Sequence, residues 1–152
     1  MSIELEIQKV TSIKDVPSDA DFRQWVSGAL TGSSEAVLTV RLVDREESRI
    51  LNAKFRQQDK ATNVLSFPAE LPPHVELPLL GDIVICAPLV LEQALEQGKI
   101  ARAHWAHLSI HGVLHLLGYD HQDDESAVEM EALETKIMNQ LGFPDPYLRE
   151  KR

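Results

Sequence analysis

The sequence has a single cysteine, Cys86, so no internal disulfide can form. Disulfide-stapled secreted scaffolds are thereby excluded, and a reducing compartment, most simply the cytoplasm, is expected. Long apolar runs are missing too. None approaches the ~20 residues that span a bilayer. The opening MSIELEIQKV lacks the basic start, apolar stretch and small-residue cleavage site of a secretory leader. It reads as mature sequence, with no membrane as a partner. Positive charge is in short supply: 15 Lys and Arg face 24 Asp and Glu, for a formal net charge of -9. Broad charge-driven binding to nucleic acid needs many cationic contacts to phosphate and is disfavoured. One local exception runs from Arg41 to Lys60, where Arg41, Arg45, Arg49, Lys54, Arg56 and Lys60 outnumber Asp44, Glu46, Glu47 and Asp59. Repeats and low-complexity segments are absent.

The 152 residues, 43% of them hydrophobic, suit one domain spanning 1–152 around one core. Ile3, Leu5 and Ile7 alternate with polar residues as in a half-buried strand. Ser18 with Asp21 forms a capping-box pattern before a helix carrying Phe22, Trp25, Val26 and Ala29, which Gly32, Ser33 and Ser34 should end. Val37–Val43 is β-branched and alternating, a second strand. Asp44 with Glu47 is a second capping-box pattern, opening a helix through Ile50, Leu51 and Phe55. Asn63–Phe67 reads as a third strand stopped by Pro68, and the proline-bearing AELPPHVELPLL as a surface loop. GDIVIC is a fourth strand, with Cys86 as a buried small hydrophobe. Pro88 suits the first turn of a helix ending near Gly98. A further helix covers about Ala101–Leu117 and exits at Gly118. The last starts among Asp123, Asp124 and Glu125, with Met130, Leu133, Ile137 and Leu141 as its apolar stripe. The expected class is α+β: a four-stranded mixed sheet packed with about five helices, the third and fourth strands hairpin-like across the loop.

Chemistry concentrates in HLSIHGVLHLLGYDH, His107 to His121. On a helix His107, His111 and His115 share one face, each about 6 Å of rise above the last. Neighbours at that spacing can share one zinc, whereas the outer pair is about 12 Å apart and cannot. The break at Gly118 favours His111 and His115, because the chain can turn back there and bring His121 to the same ion. The metal site is therefore expected on a C-terminal helix and the following turn. Three imidazoles leave a fourth position open for water, whose pKa such a zinc lowers to about 7. His107 either packs or lines and supports the site. His104 and His74 read as solvent-facing. Asp120 either orients a ligand histidine or caps the turn. The pattern H-x-x-x-H-x-x-G-x-x-H has the ligand spacing of metzincin peptidases, but their general-base glutamate is replaced by Gly112. Peptide hydrolysis of that kind is a poor fit.

The segments HGVLHLLGYDH, DKATNVLSFP, LLGDIVIC and MEALETKIMNQLGFPDPY resemble the bacterial YbeY family of metal-dependent endoribonucleases, from about Val37 onward. The resemblance implies one Zn2+ per chain on His111, His115 and His121. Arg56 matches the family's functionally important arginine, and Arg56, His111 and His115 are the expected catalytic residues. It also implies a mixed-sheet α+β fold, action on 16S rRNA 3′ ends, a part in ribosome quality control, and contact with the small ribosomal subunit. RNA carries its own nucleophile in the 2′-hydroxyl, so the missing glutamate is no obstacle, and Arg56 offers a bidentate fork for phosphate. Lys54 and Lys60 are candidates to extend that basic strip. Two alternatives are a ribosome assembly factor with a non-catalytic zinc and a metal hydrolase of small substrates.

Overall fold

In the computed structural model, residues 2–30, 35–120 and 122–147 are described. Nine elements follow in the expected order: β1 (Ser2–Lys9), α1 (Asp19–Ala29), β2 (Glu35–Val43), α2 (Arg45–Arg56), β3 (Val64–Pro68), β4 (Leu79–Cys86), α3 (Ala87–Glu96), α4 (Ala101–Leu116) and α5 (Asp124–Gln140). The fold is α+β with a four-stranded mixed sheet in the order β1-β2-β4-β3. The pairs β1/β2 and β2/β4 are parallel, and β3 runs antiparallel to β4, so the expected hairpin is present.

Alternation in β2 divides the sheet into two faces. Ala36, Leu38, Val40 and Leu42 join Ile83 and Ile85 of β4 in the main core, against Phe22, Trp25, Trp105, Ile110, Val113 and Met130 from the helices. The opposite face carries Val43, Leu65 and Val84, covered by Leu51 of α2 and by Phe67. Helix α2 covers it thinly, because Ile50 and Phe55 are about half exposed.

The Ser18–Asp21 capping box is made in both directions, Asp21 N to Ser18 Oγ and Ser18 N to Asp21 Oδ2, each 3.1 Å. The one expected at Asp44 is not. Its carboxylate is turned away from α2 and accepts from Thr11 Oγ1 and from Ser12 N (3.0 Å), while Glu47 pairs with Arg41. A tertiary partner across the sheet displaced the local cap, and Asp44 now fastens the end of β1 to the start of α2. The stop expected at Gly32–Ser34 lies outside the described residues, although α1 ends at Ala29.

Helix α4 is the centre of the molecule, touching α1, α3, α5, β3 and β4. Eleven of its sixteen residues are buried. Surrounded in this way it buries most of its polar residues along with its apolar ones, and this corrects the expectation for His104. That histidine is 4% exposed, and its Nε2 donates to Gln93 Oε1 of α3 at 2.9 Å. His74, by contrast, is exposed.

Burial, reinforced by the charge of Lys99 and by His107, pushes the His104 pKa from 6.5 down to about 4. The folded state therefore holds it neutral while the unfolded chain protonates near pH 6.5. Its stabilising contribution is complete above that pH and is lost as pH falls toward 4, by about 3 kcal/mol in all. Denaturant unfolding at a series of pH values should show wild type losing stability across this window. His104→Gln should flatten that part of the profile, and an unaltered slope in the variant would assign the loss to other groups.

Candidate active site

Helix α4 closes with a Schellman exit: Gly118 N donates to His115 O and Tyr119 N to Leu114 O, both at 3.0 Å, with Gly118 at φ 102°. The chain thus reverses immediately beyond His115, and Tyr119 and Asp120 return along the wall of a cleft of about 530 Å³. Opposite them the cleft is lined by Asn63–Ser66 and by Arg56. His111 and His115 form its floor, Nε2 to Nε2 at 3.1 Å. Two zinc–nitrogen bonds of about 2.0–2.1 Å at a tetrahedral angle place their nitrogens roughly 3.3 Å apart. The observed pair fits a shared ion. The expected third ligand, His121, lies outside the described residues.

Arg56 is the last residue of α2 and is carried at the surface. Its Nη2 donates to Ser66 O at 2.8 Å, and its guanidinium lies 5.5 Å from the centre of the Phe67 ring. Ser66 in turn donates from Oγ to Gly112 O at 3.1 Å. Strand β3 therefore stands between the arginine and the histidine helix, bonded to both. Lys54 and Lys60 do not line the cleft.

The side of His111 away from the cleft meets an acid that sequence reasoning missed. Glu134 of α5 is 0% exposed. Its Oε1 accepts from His111 Nδ1 at 2.8 Å; its Oε2 accepts from Tyr147 Oη at 2.6 Å and also from His107 Nε2. Burial works against ionisation of this carboxyl, but the hydrogen bonds and charges of His107 and His111 outweigh it and bring the pKa down to about 2. A signal was available in the sequence, because Glu134 lies four residues from both Met130 and Met138 and so sits on the apolar stripe of α5. His107, His111 and Glu134 bring three ligand-type atoms within 4.8 Å of one another, so this buried group could also hold a metal ion.

The chain matches the family model described as Endoribonuclease YbeY over residues 5–142. It belongs to the YbeY family. Its fold is also similar to the solution structure of TM1509 from Thermotoga maritima, with a TM-score of 0.54 and 25% identity over 89% of this chain and 91% of that one. Membership supports an endoribonuclease role in rRNA processing, and hence a nuclease-type hydrolase. No helix among the described residues is long and apolar enough to cross a membrane.

Within this YbeY-family site, the position where metzincins carry their glutamate points into the core. A Cβ built on Gly112 would lie 2.8 Å from Ile83 Cγ2 of β4. A side chain at 112 would start against the sheet and not in the cleft, so the glycine there suits the close packing of α4 on β4. Gly112→Ala should overpack this contact, at about 1–3 kcal/mol, against about 1 kcal/mol gained in helix propensity. The melting temperature should fall by several degrees, since each kcal/mol is worth about 2–4 °C at this size. A raised melting temperature would show that Ile83 gives way freely.

Proposed function

We propose that the chain is a zinc-dependent, single-strand-specific endoribonuclease that matures the 3′ end of 16S rRNA in the cytoplasm, takes part in ribosome quality control, and works on the small ribosomal subunit. The observation that carries this reading is the placement of Arg56 and the His111–His115 pair on one open cleft. His111, His115 and His121 are the proposed ligands of one Zn2+. Bound there, zinc supplies Lewis acidity toward a phosphodiester and lowers the pKa of water.

The chain's own groups supply the remainder. The Schellman exit at Gly118 turns the chain back directly beyond His115, and His121, three residues after that glycine, is the proposed third ligand. Arg56 presents a guanidinium fork across the cleft, where negative charge builds on the phosphoryl oxygens. Its bond to Ser66 O restrains it on the cleft wall. With position 112 facing the sheet, no glutamate there takes the proton of the attacking oxygen, which is that of water or of the RNA 2′-hydroxyl. A small phosphoester would need no cleft this open, which favours a polymer.

Purified protein should hold about one zinc per chain. His111→Ala, His115→Ala and His121→Ala should each lower that content sharply, and unchanged zinc in the His121 variant would remove it from the ligand set. Because zinc binds only the folded state, metal 1,000-fold above its Kd stabilises by about 4 kcal/mol. Chelator should therefore lower the melting temperature and added zinc restore it.

Arg56→Ala should cleave single-stranded RNA about 10²–10³ more slowly, the effect of removing one preorganised donor. Zinc content and melting temperature should stay near wild type, because the side chain is exposed and not part of the core. Arg56→Lys should recover only part of the rate, since an ammonium keeps the charge but loses the fork. Wild-type cleavage by Arg56→Ala would exclude the phosphate-clamp role, and loss of zinc or fold would make the residue structural.

A further inference from the structure

The buried acid raises a question that packing does not answer. Glu134 occupies the stripe of α5 beside Met130, Ile137 and Met138, all at most 2% exposed. An ion pair at such a place is often no more stabilising than an apolar residue of similar volume. Folding alone gives no reason for an acid here, still less for the arrangement around it. Three donors converge on one carboxylate, and each comes from a different part of the chain or a different turn of α4: His107, His111 and Tyr147. His107 spends its Nε2 on this bond while its Nδ1 stays buried with no partner among the described residues. An unmet buried nitrogen is unfavourable, so the interaction on the other side of the ring offsets a local loss.

We propose that Glu134 is a positioning residue for the metal site, setting the tautomer and ring orientation of His111, and that His107 and Tyr147 hold Glu134 in place for that role. The proposal rests on the reading of His111, His115 and His121 as the ligands. A carboxylate can only accept, so the bond from His111 Nδ1 puts the proton of a neutral ring on Nδ1. The lone pair is then on Nε2, the atom that faces His115 Nε2 across 3.1 Å. A negative charge behind the ring also makes Nε2 a stronger donor to a cation. His111 lines the open cleft on one side and, on the other, a smaller cavity of about 200 Å³ shared with His104, His107 and Tyr147. It separates the reacting space from the network that orients it.

The competing arrangement puts the ion among His107, His111 and Glu134 themselves. It would use His111 through Nδ1 and replace contacts of hydrogen-bond length, 2.8 Å to His111 and 2.6 Å from Tyr147. The two Nε2 atoms on the cleft floor would then face each other with no shared ion, and the metal would sit beside an acid that is 0% exposed. The geometry favours the cleft pair as ligands and Glu134 behind them.

The test uses the full chain and metal alone. Zinc affinity is read by competition with a chromophoric chelator, apo stability by thermal melting, and ligand number by the visible spectrum of the Co2+-substituted protein. Histidine tautomers are read by long-range ¹H–¹⁵N NMR of the apo form. Glu134→Gln should weaken zinc binding by about 10–100-fold. At saturation it should keep an intense, four-coordinate cobalt spectrum, and its apo His111 should lose the single Nδ1–H tautomer. Tyr147→Phe, which leaves the acid in place, should weaken binding by a smaller factor with the apo melting temperature little altered. It carries the test if Glu134→Gln does not fold. His115→Ala should lose the intense cobalt spectrum. Wild-type zinc affinity and tautomer in Glu134→Gln, or in Tyr147→Phe where only that variant folds, would reduce the acid to a structural group. A spectrum lost in Glu134→Gln but kept in His115→Ala would make Glu134 a ligand. Metal binding unaffected by loss of either His111 or His115 would instead overturn the ligand assignment on which the proposal stands.

Discussion

The rest of this molecule is arranged around a helix, α4, that is buried along most of its length. Helix α4 lies against β3 and β4 and is flanked by α1, α3 and α5. Close approach to the sheet is possible because Gly112 has no Cβ to strike Ile83. Once the helix is seated so deeply, its polar residues need partners inside the protein, and each partner recruits another element. His104 draws in Gln93 of α3, while His107 and His111 draw in Glu134 of α5. Burial of a histidine-bearing helix thus fixes where its neighbours must present polar atoms.

The same burial leaves the histidines of α4 open to the cleft at one end only. Near its C-terminus α4 emerges, and His111 and His115 are only partly buried there, on the floor of the cleft. The helix exit at Gly118 and the strand β3 build the two walls. Arg56 comes to this cleft from α2 on the other face of the sheet, through its hydrogen bond to β3. Arg56 is therefore joined to the histidine helix, far away in sequence, by two side-chain-to-backbone hydrogen bonds, Arg56 to Ser66 O and Ser66 Oγ to Gly112 O. For an acidic chain with a net charge of -9, the phosphate contact proposed above is one placed arginine and not a diffuse basic surface.

Much of this was legible because the relevant signals are local. Element order follows from alternation, helical periodicity and caps. The capping box at Ser18 and the glycine exit at Gly118 are made as read, since both depend on residues within a few positions of each other. The HxxxH pairing of His111 and His115 follows from helix geometry alone. Where reading failed, a distant partner had intervened. Asp44 has the cap sequence but bonds Thr11 and Ser12, more than thirty residues away. His104 looked exposed because nothing near it in sequence reveals that α3 and the C-terminal segment cover it.

The sequence by itself determined the element order, the α+β class, the histidine pair and the family likeness, all of which rest on short-range spacing. Tertiary structure alone decided that Glu134 stands behind His111, that Tyr147 and His107 secure it, that position 112 faces Ile83, and that Arg56 shares the histidines' cleft. The physical reason is range. Spacing along one helix fixes which side chains share a face. Which face is buried, and against what, depends on packing between elements that the chain brings together only when the whole core forms.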